Sequence, residues 1–123
     1  MPITVAYQST GSTIGSATNT EKSLPSNTTS TSRNAIASTG VFQLYLDCQN
    51  IATSDEFRLR WYETVNSATT SSYGVFLDQT FVGPQSPPLF VSPAFTLCDG
   101  WDITLSMTTG TARVFTWGIK KIA

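Results

Sequence analysis

From Gly40 onward the chain alternates apolar and polar residues with a period of two, the geometry of an extended strand that buries one face. In residues 41–48, Phe42, Leu44, Leu46 and Cys48 share a face. In residues 56–63, Phe57, Leu59 and Trp61 point one way while Glu56, Arg58, Arg60 and Tyr62 point the other. Residues 73–82 set Val75, Leu77 and Phe81 on one side. Residues 101–108 alternate Trp101, Ile103, Leu105 and Met107 with Asp102, Thr104, Ser106 and Thr108. Residues 112–122 close the series with Phe115, Trp117 and Ile119 on one face. No segment longer than one turn carries a helical period.

The punctuation between these runs is specific. Pro84, Pro87, Pro88 and Pro93 fall within ten residues, a density that a central strand cannot hold. This stretch reads as a long crossing between two sheets or as a kinked edge. Asp99-Gly100 is a favourable two-residue turn and predicts a hairpin joining residues 94–98 to 101–108. With residues 3–8 as a further strand, about seven strands follow at fairly regular spacing. They predict an all-β domain, a β-sandwich or jelly roll, with a flattened barrel as the alternative.

Residues 9–39 break the pattern. Sixteen of these 31 residues are Ser or Thr, and only Ile14, Leu24 and Ile36 are large and apolar. That is too little apolar surface to bury a helix or a strand pair, so in isolation the segment is expected to be mobile. Two readings stand side by side: a plain linker, or an arm that becomes ordered across a neighbouring subunit. The sequon Asn27-Thr28-Thr29 reads as chance, because nothing directs the chain to a glycosylating compartment. The organisation expected is one domain overall, with a strand and extended arm over 1–39 and a β-sandwich core over 40–123.

Composition narrows the function. Charged residues make up only 12% of the 123 residues, about half the usual share, and polarity comes instead from 35 Ser and Thr. The net charge of -1 and scattered basic residues, with Arg58/Arg60 and Lys120/Lys121 the nearest to clusters, argue against nucleic acid as a partner. No apolar run reaches the roughly 20 residues of a membrane helix, and the N-terminus lacks a signal-peptide pattern, so synthesis in the cytoplasm is expected. Cys48 and Cys98 could pair as a disulfide, but without a signal sequence they are expected to be free thiols at strand ends, acting as small hydrophobes.

Chemistry is sparse. The chain has no histidine, which removes Ser-His-Asp and Cys-His triads and the commonest metal ligand. No phosphate-cradling loop, zinc ligand set or other cofactor or metal site is expected. Asp55 with Glu56 and Asp99 with Asp102 are the acidic pairs. They are weighed as glycosidase carboxylates or calcium ligands against ordinary turn-capping roles, which Asp55 and Asp99 fit well. The tryptophans invite a carbohydrate-binding reading, yet Trp61 and Trp117 lie on apolar faces, and Trp101 alone is expected to be partly exposed. Tyr45 and Tyr62 fall on outward faces near Gln43, Arg58 and Arg60, a Tyr/Arg combination common at protein contacts. Tyr45, Arg58, Arg60, Tyr62 and Trp101 are thus the candidate partner-binding residues, with a merely solvated sheet face as the alternative.

The Ser/Thr-rich arm is followed by strands from Gly40-Val41-Phe42-Gln43-Leu44-Tyr45-Leu46 to Gly110-Thr111-Ala112-Arg113-Val114-Phe115-Thr116-Trp117. This arrangement resembles the small β-sandwich head decoration or cement proteins of tailed bacteriophages. The resemblance is architectural and covers most of the chain without a diagnostic motif. It implies a non-enzymatic virion structural protein on the capsid exterior, bound to the major capsid protein or other virion proteins, commonly as a trimer. No residue role carries over by position. A carbohydrate-binding or adhesive module is the alternative, with Trp101, Tyr62 or Tyr73 on the binding face; a small hydrolase using the acidic groups is a third.

Overall fold

The computed structural model describes residues 3–29, 33–65 and 73–123. Part of the expected arm, residues 30–32, and the start of the chain, residues 1–2, lie outside the described residues. Ten strands and no helix are present among them: β1 (Thr4–Ile14), β2 (Lys22–Ser23), β3 (Thr28–Thr29), β4 (Gly40–Asp47), β5 (Glu56–Thr64), β6 (Tyr73–Val82), β7 (Leu89–Val91), β8 (Phe95–Leu97), β9 (Trp101–Thr109) and β10 (Arg113–Lys121). They form two antiparallel five-stranded sheets. One runs β1-β10-β4-β7, with β8 also paired to β4; the other runs β3-β2-β9-β5-β6.

The pairings nest. β5 pairs with β6, β4 with both β7 and β8, β2 with β9, and β1 with β10, each pair enclosing the one before it along the chain. The described strands, β3 aside, thus form one long antiparallel ribbon, folded so that its arms fall alternately in the two sheets. Lateral pairs β4–β10 and β5–β9 stitch each sheet together. Between the sheets lies the core that the alternation predicts. Phe42, Leu44, Leu46, Phe57, Leu59, Trp61, Ile103, Leu105, Phe115 and Ile119 are fully buried. An aromatic run crosses this core: Phe42 to Trp101 at 4.9 Å between ring centroids, Trp101 to Trp61 at 6.2 Å, and Trp61 to Phe95 at 4.9 Å.

Three expectations change, and one is met. First, β8 and β9 are not a hairpin. β8 lies in one sheet and β9 in the other, so Asp99-Gly100 turns a corner between sheets. Gly100 takes φ +89 there, and a Cβ on it would lie 2.8 Å from the Asn34 carbonyl oxygen. Turn chemistry alone does not distinguish a hairpin from a corner. Second, β6 carries a bulge opposite Trp61/Tyr62, which moves Val75 off the face of Leu77 and Phe81 to lie opposite Tyr62. The inserted Phe76 packs its ring against Trp61 and Phe95. Third, the proline-rich stretch does cross between sheets, and Pro88 and Pro93 flank the short edge strand β7 without entering it. Ser92 ends that strand: its N–H donates to the Leu44 carbonyl at 2.9 Å, while its Oγ, in place of its carbonyl, accepts the Leu44 N–H at 2.9 Å.

The last change concerns residues 9–39. β1 runs through Ile14, β2 pairs with β9, and Ile14 and Leu24 are each only 1% exposed. Two apolar residues too few to build a core are enough to dock on one already built. Ser and Thr side chains there bond locally, as in Ser26–Thr28 and Ser9–Ser12, which lowers the cost of covering polar groups.

Candidate functional site

The outward face of the second sheet carries the densest polar network. β5 contributes Arg58, Arg60 and Tyr62, because its alternate residues Phe57, Leu59 and Trp61 fill the core. β9 brings Ser106, Thr104 and Asp102 directly opposite these three in register. β6 adds Asp78, opposite Arg60. The segment leading into β2 lies along the far edge of β9, fixed by Asn19 N–H to the Met107 carbonyl at 2.7 Å and Leu24 N–H to the Ile103 carbonyl at 2.8 Å.

Glu21 is the hub. Its carboxylate accepts from Tyr62 Oη at 2.6 Å and from Thr104 Oγ1, and from Arg33 Nη2 at 2.8 Å. The Arg33 guanidinium also stands 5.5 Å from the Tyr62 ring centroid, in cation–π range. Burial works to raise the Glu21 pKa, but the hydrogen bonds from Thr104 and Tyr62 and the charges of Arg33 and Arg60 outweigh it, so the carboxyl sits below its ordinary value. Asp102 shows the opposite balance. It is 1% exposed, Ser23 Oγ donates to its Oδ1 at 2.7 Å, and Oδ2 has no partner among the described residues. Burial therefore pushes its pKa up.

Beside the hub, Asn19, Glu21, Arg58, Arg60, Ser106 and Thr108 line a shallow polar cavity of about 260 Å³. Its two arginines are directed toward Asp78: Arg58 through a two-point pair at 2.8 and 2.6 Å, Arg60 more loosely at 3.8 Å. The surface is therefore balanced in charge and rich in donors, suited to a neutral hydrogen-bonding partner.

The candidate residues divide among three places. Arg58 and Arg60 line this groove. Tyr62 shares their face but is only 5% exposed, because Glu21 and Arg33 cover it. Trp101 is fully buried, and its indole N–H donates to the Ser38 carbonyl at 2.9 Å. Tyr45 is on the outward face of the other sheet, where Lys120 Nζ stands 3.7 Å from its ring centroid. Glu21 and Arg33 are missed by sequence reasoning. The one signal in the sequence is that Glu21 is the only acidic residue before Asp47, in a segment otherwise nearly neutral.

The acidic pairs do not face a common cleft. Asp55 accepts from Arg113 Nε at 2.6 Å and from the Ala52 and Thr111 N–H groups, tying two turns together, and the Arg113 bond foremost holds its pKa at about 2. Asp102 is covered by Ser23. Asp99 lies near Glu63 and Cys98, three potential ligand atoms within 4.8 Å, but Glu63 already accepts the Cys98 N–H at 2.9 Å. The hydrogen bond to Asp99 raises the Cys98 pKa, which keeps its thiol protonated. Cys48 and Cys98 are both free, the first buried and the second exposed. All three tryptophans are buried. Comparison of the chain with family models, with curated proteins and with solved structures finds no match.

Proposed function

We propose that this chain is a non-enzymatic structural protein of a virus particle, a jelly-roll domain that decorates or cements an assembled capsid from outside. The observation that carries the reading is strand order. Four nested antiparallel pairings distributed over two sheets support reading the fold as a double-sheet jelly roll, an architecture common among viral capsid domains. Other features agree with it. The surface has little net charge, so contacts depend weakly on salt. A repeated lattice lets modest contacts act together. The groove beside Glu21, with Arg58 and Arg60, offers donors to a protein surface, as does Tyr45 on the opposite face.

In this reading the partners are the major capsid protein or other virion proteins, the protein self-associates, with a trimer favoured, and it is made in the host cytoplasm. Density-gradient purification of the particles tests it: the chain should travel with intact particles at a fixed ratio to the major capsid protein. Its absence from particles made in cells that express it would sink the proposal.

Jelly rolls also serve as lectins, and this order of strands keeps the carbohydrate-binding alternative in view. With every tryptophan buried, stacking on a sugar would fall to Tyr45 or to Tyr73, which is 44% exposed. A glycan array with the wild type and Tyr73→Ala decides it: no bound glycan ends that reading.

A further inference from the structure

One wall of the sandwich differs from the rest of the surface. There β6 ends the second sheet, and the edges of β7 and β8 end the first. Phe76 to Phe95 at 4.9 Å and Phe81 to Phe90 at 5.2 Å join the two edges, so they form one continuous side. Tyr73, Val75, Phe76, Val82, Leu89 and Val91 expose between 42% and 66% of their surface along it. From residue 73 to residue 97 the only charged residue is Asp78, which Arg58 and Arg60 neutralise. Two of the larger surface cavities open here, about 340 Å³ beside Pro87 and Leu89 and about 310 Å³ between Val65 and Phe76.

The outer edge of β6 has no strand partner among the described residues, which leaves alternate backbone groups of ten residues without a ladder. Natural edges are usually protected by Lys, Pro or repeated bulges. β1, the other long edge, has two register shifts, and β3 is only two residues long. β6 has one shift and neither Lys nor Pro.

We propose that this wall is the contact surface for a second copy of the chain, joined by antiparallel pairing of β6 with its symmetry mate. The strand is self-complementary in one register. A two-fold axis at Asp78 sets Tyr73 opposite Val82 and Val75 opposite Thr80, each pair on the outward face of the sheet, with Asp78 opposite its own mate. The bulge sets Phe76 and Leu77 together opposite Gln79 of the mate, which keeps the pairs in phase on both sides of the axis. Like-charge contact is confined to the two Asp78 carboxylates, each held by its own Arg58. A wall about 33 Å long and two sheets, some 20 Å, deep offers roughly 650 Å² per partner, or about 1,300 Å² in all, within the range of stable specific interfaces. Pairing through a two-fold closes after two copies, so the edge is used up rather than propagated into a fibre. The dimer is the state of the isolated protein, in place of the trimer that the capsid reading favours on the lattice, and it does not rest on that reading.

Analytical ultracentrifugation of the purified chain tests it. The expected species has twice the 13.3 kDa chain mass. Val75→Lys with Val82→Lys should weaken the dimer by about a hundredfold, since each copy would bury two unpaired charges. Val114→Lys, on β10 away from the wall, should leave it unchanged. A second measurement does not depend on the lysine variants folding. In a Cys98→Ser background, Val75→Cys with Thr80→Cys should cross-link into covalent dimers on mild oxidation, and neither single variant should. A monomer at several hundred micromolar, an oligomer indifferent to the lysines, or double-cysteine chains that stay monomeric would overturn the proposal. Dimerisation without particle association would leave it standing and remove only the capsid reading.

Discussion

Glu21 stands where three parts of the chain meet, accepting from Tyr62 on β5, Thr104 on β9 and Arg33 beyond β3. A carboxylate so placed holds residues 19–29 and 33–36 to the sheet by charge-assisted bonds. Glu21→Gln keeps the shape and removes the charge, so it should cost about 1–2 kcal/mol, read as a lower midpoint in urea, with faster proteolysis near Glu21. Asp102 predicts the reverse. Its ionised form is penalised by burial, so Asp102→Asn should be neutral or stabilising at pH 7, measured by the same denaturation. The tryptophans separate similarly. Trp61 and Trp101 are both fully buried, and truncating either to Ala should cost about 3–5 kcal/mol. To Phe they should differ by about 1 kcal/mol, because Trp101 loses its bond to Ser38 while the Trp61 indole N–H has no partner among the described residues.

At the scale of elements, legibility follows the strength of the local period. β4, β5, β9 and β10 are readable because each alternates apolar and polar residues cleanly in sequence. β9 hides its outward face: Asp102, Thr104 and Ser106 are buried as well, since the β2 segment covers them, and a polar side chain does not announce what will lie over it. Residues 9–39 depart from expectation for a related reason. Their apolar content is too low to make a core, but docking needs only Ile14 and Leu24 on a surface made elsewhere. The corner at Gly100 and the bulge at Phe76 are not legible, because both depend on which sheet receives the next strand. Of the candidate site, Arg58 and Arg60 are legible from alternation, while Glu21 and Arg33 emerge only from tertiary pairing. The thiols follow their elements too. Cys48, its pKa pushed up to about 12 by burial and then by Asp47, should resist thiol reagents, leaving one reactive thiol per native chain and two after denaturation.

For the whole molecule, acid stability is set by carboxylates of opposing sign. Asp55 is depressed from an ordinary 3.8 to about 2, so its contribution is complete above pH 4 and is lost as pH falls toward 2. Glu21, also lowered, acts in the same direction. Asp102, raised, subtracts stability as pH climbs above the ordinary carboxylate value. Thermal unfolding should therefore fall steeply below pH 4, and Asp55→Asn should flatten that fall; an unchanged profile would show that the Asp55–Arg113 tie carries no linkage. The larger question is what the assembled surface meets. If the capsid proposal holds, the ribbon wraps into a jelly roll whose outward faces, not a pocket, carry function. Cryo-electron microscopy of intact particles tests this most directly. The prediction is two-sheet density at regular lattice positions on the capsid exterior, with the Glu21–Arg58–Arg60 face or the Tyr45 face against capsid protein. Particles whose lattice carries no such density, though the chain is abundant in the producing cells, would contradict it.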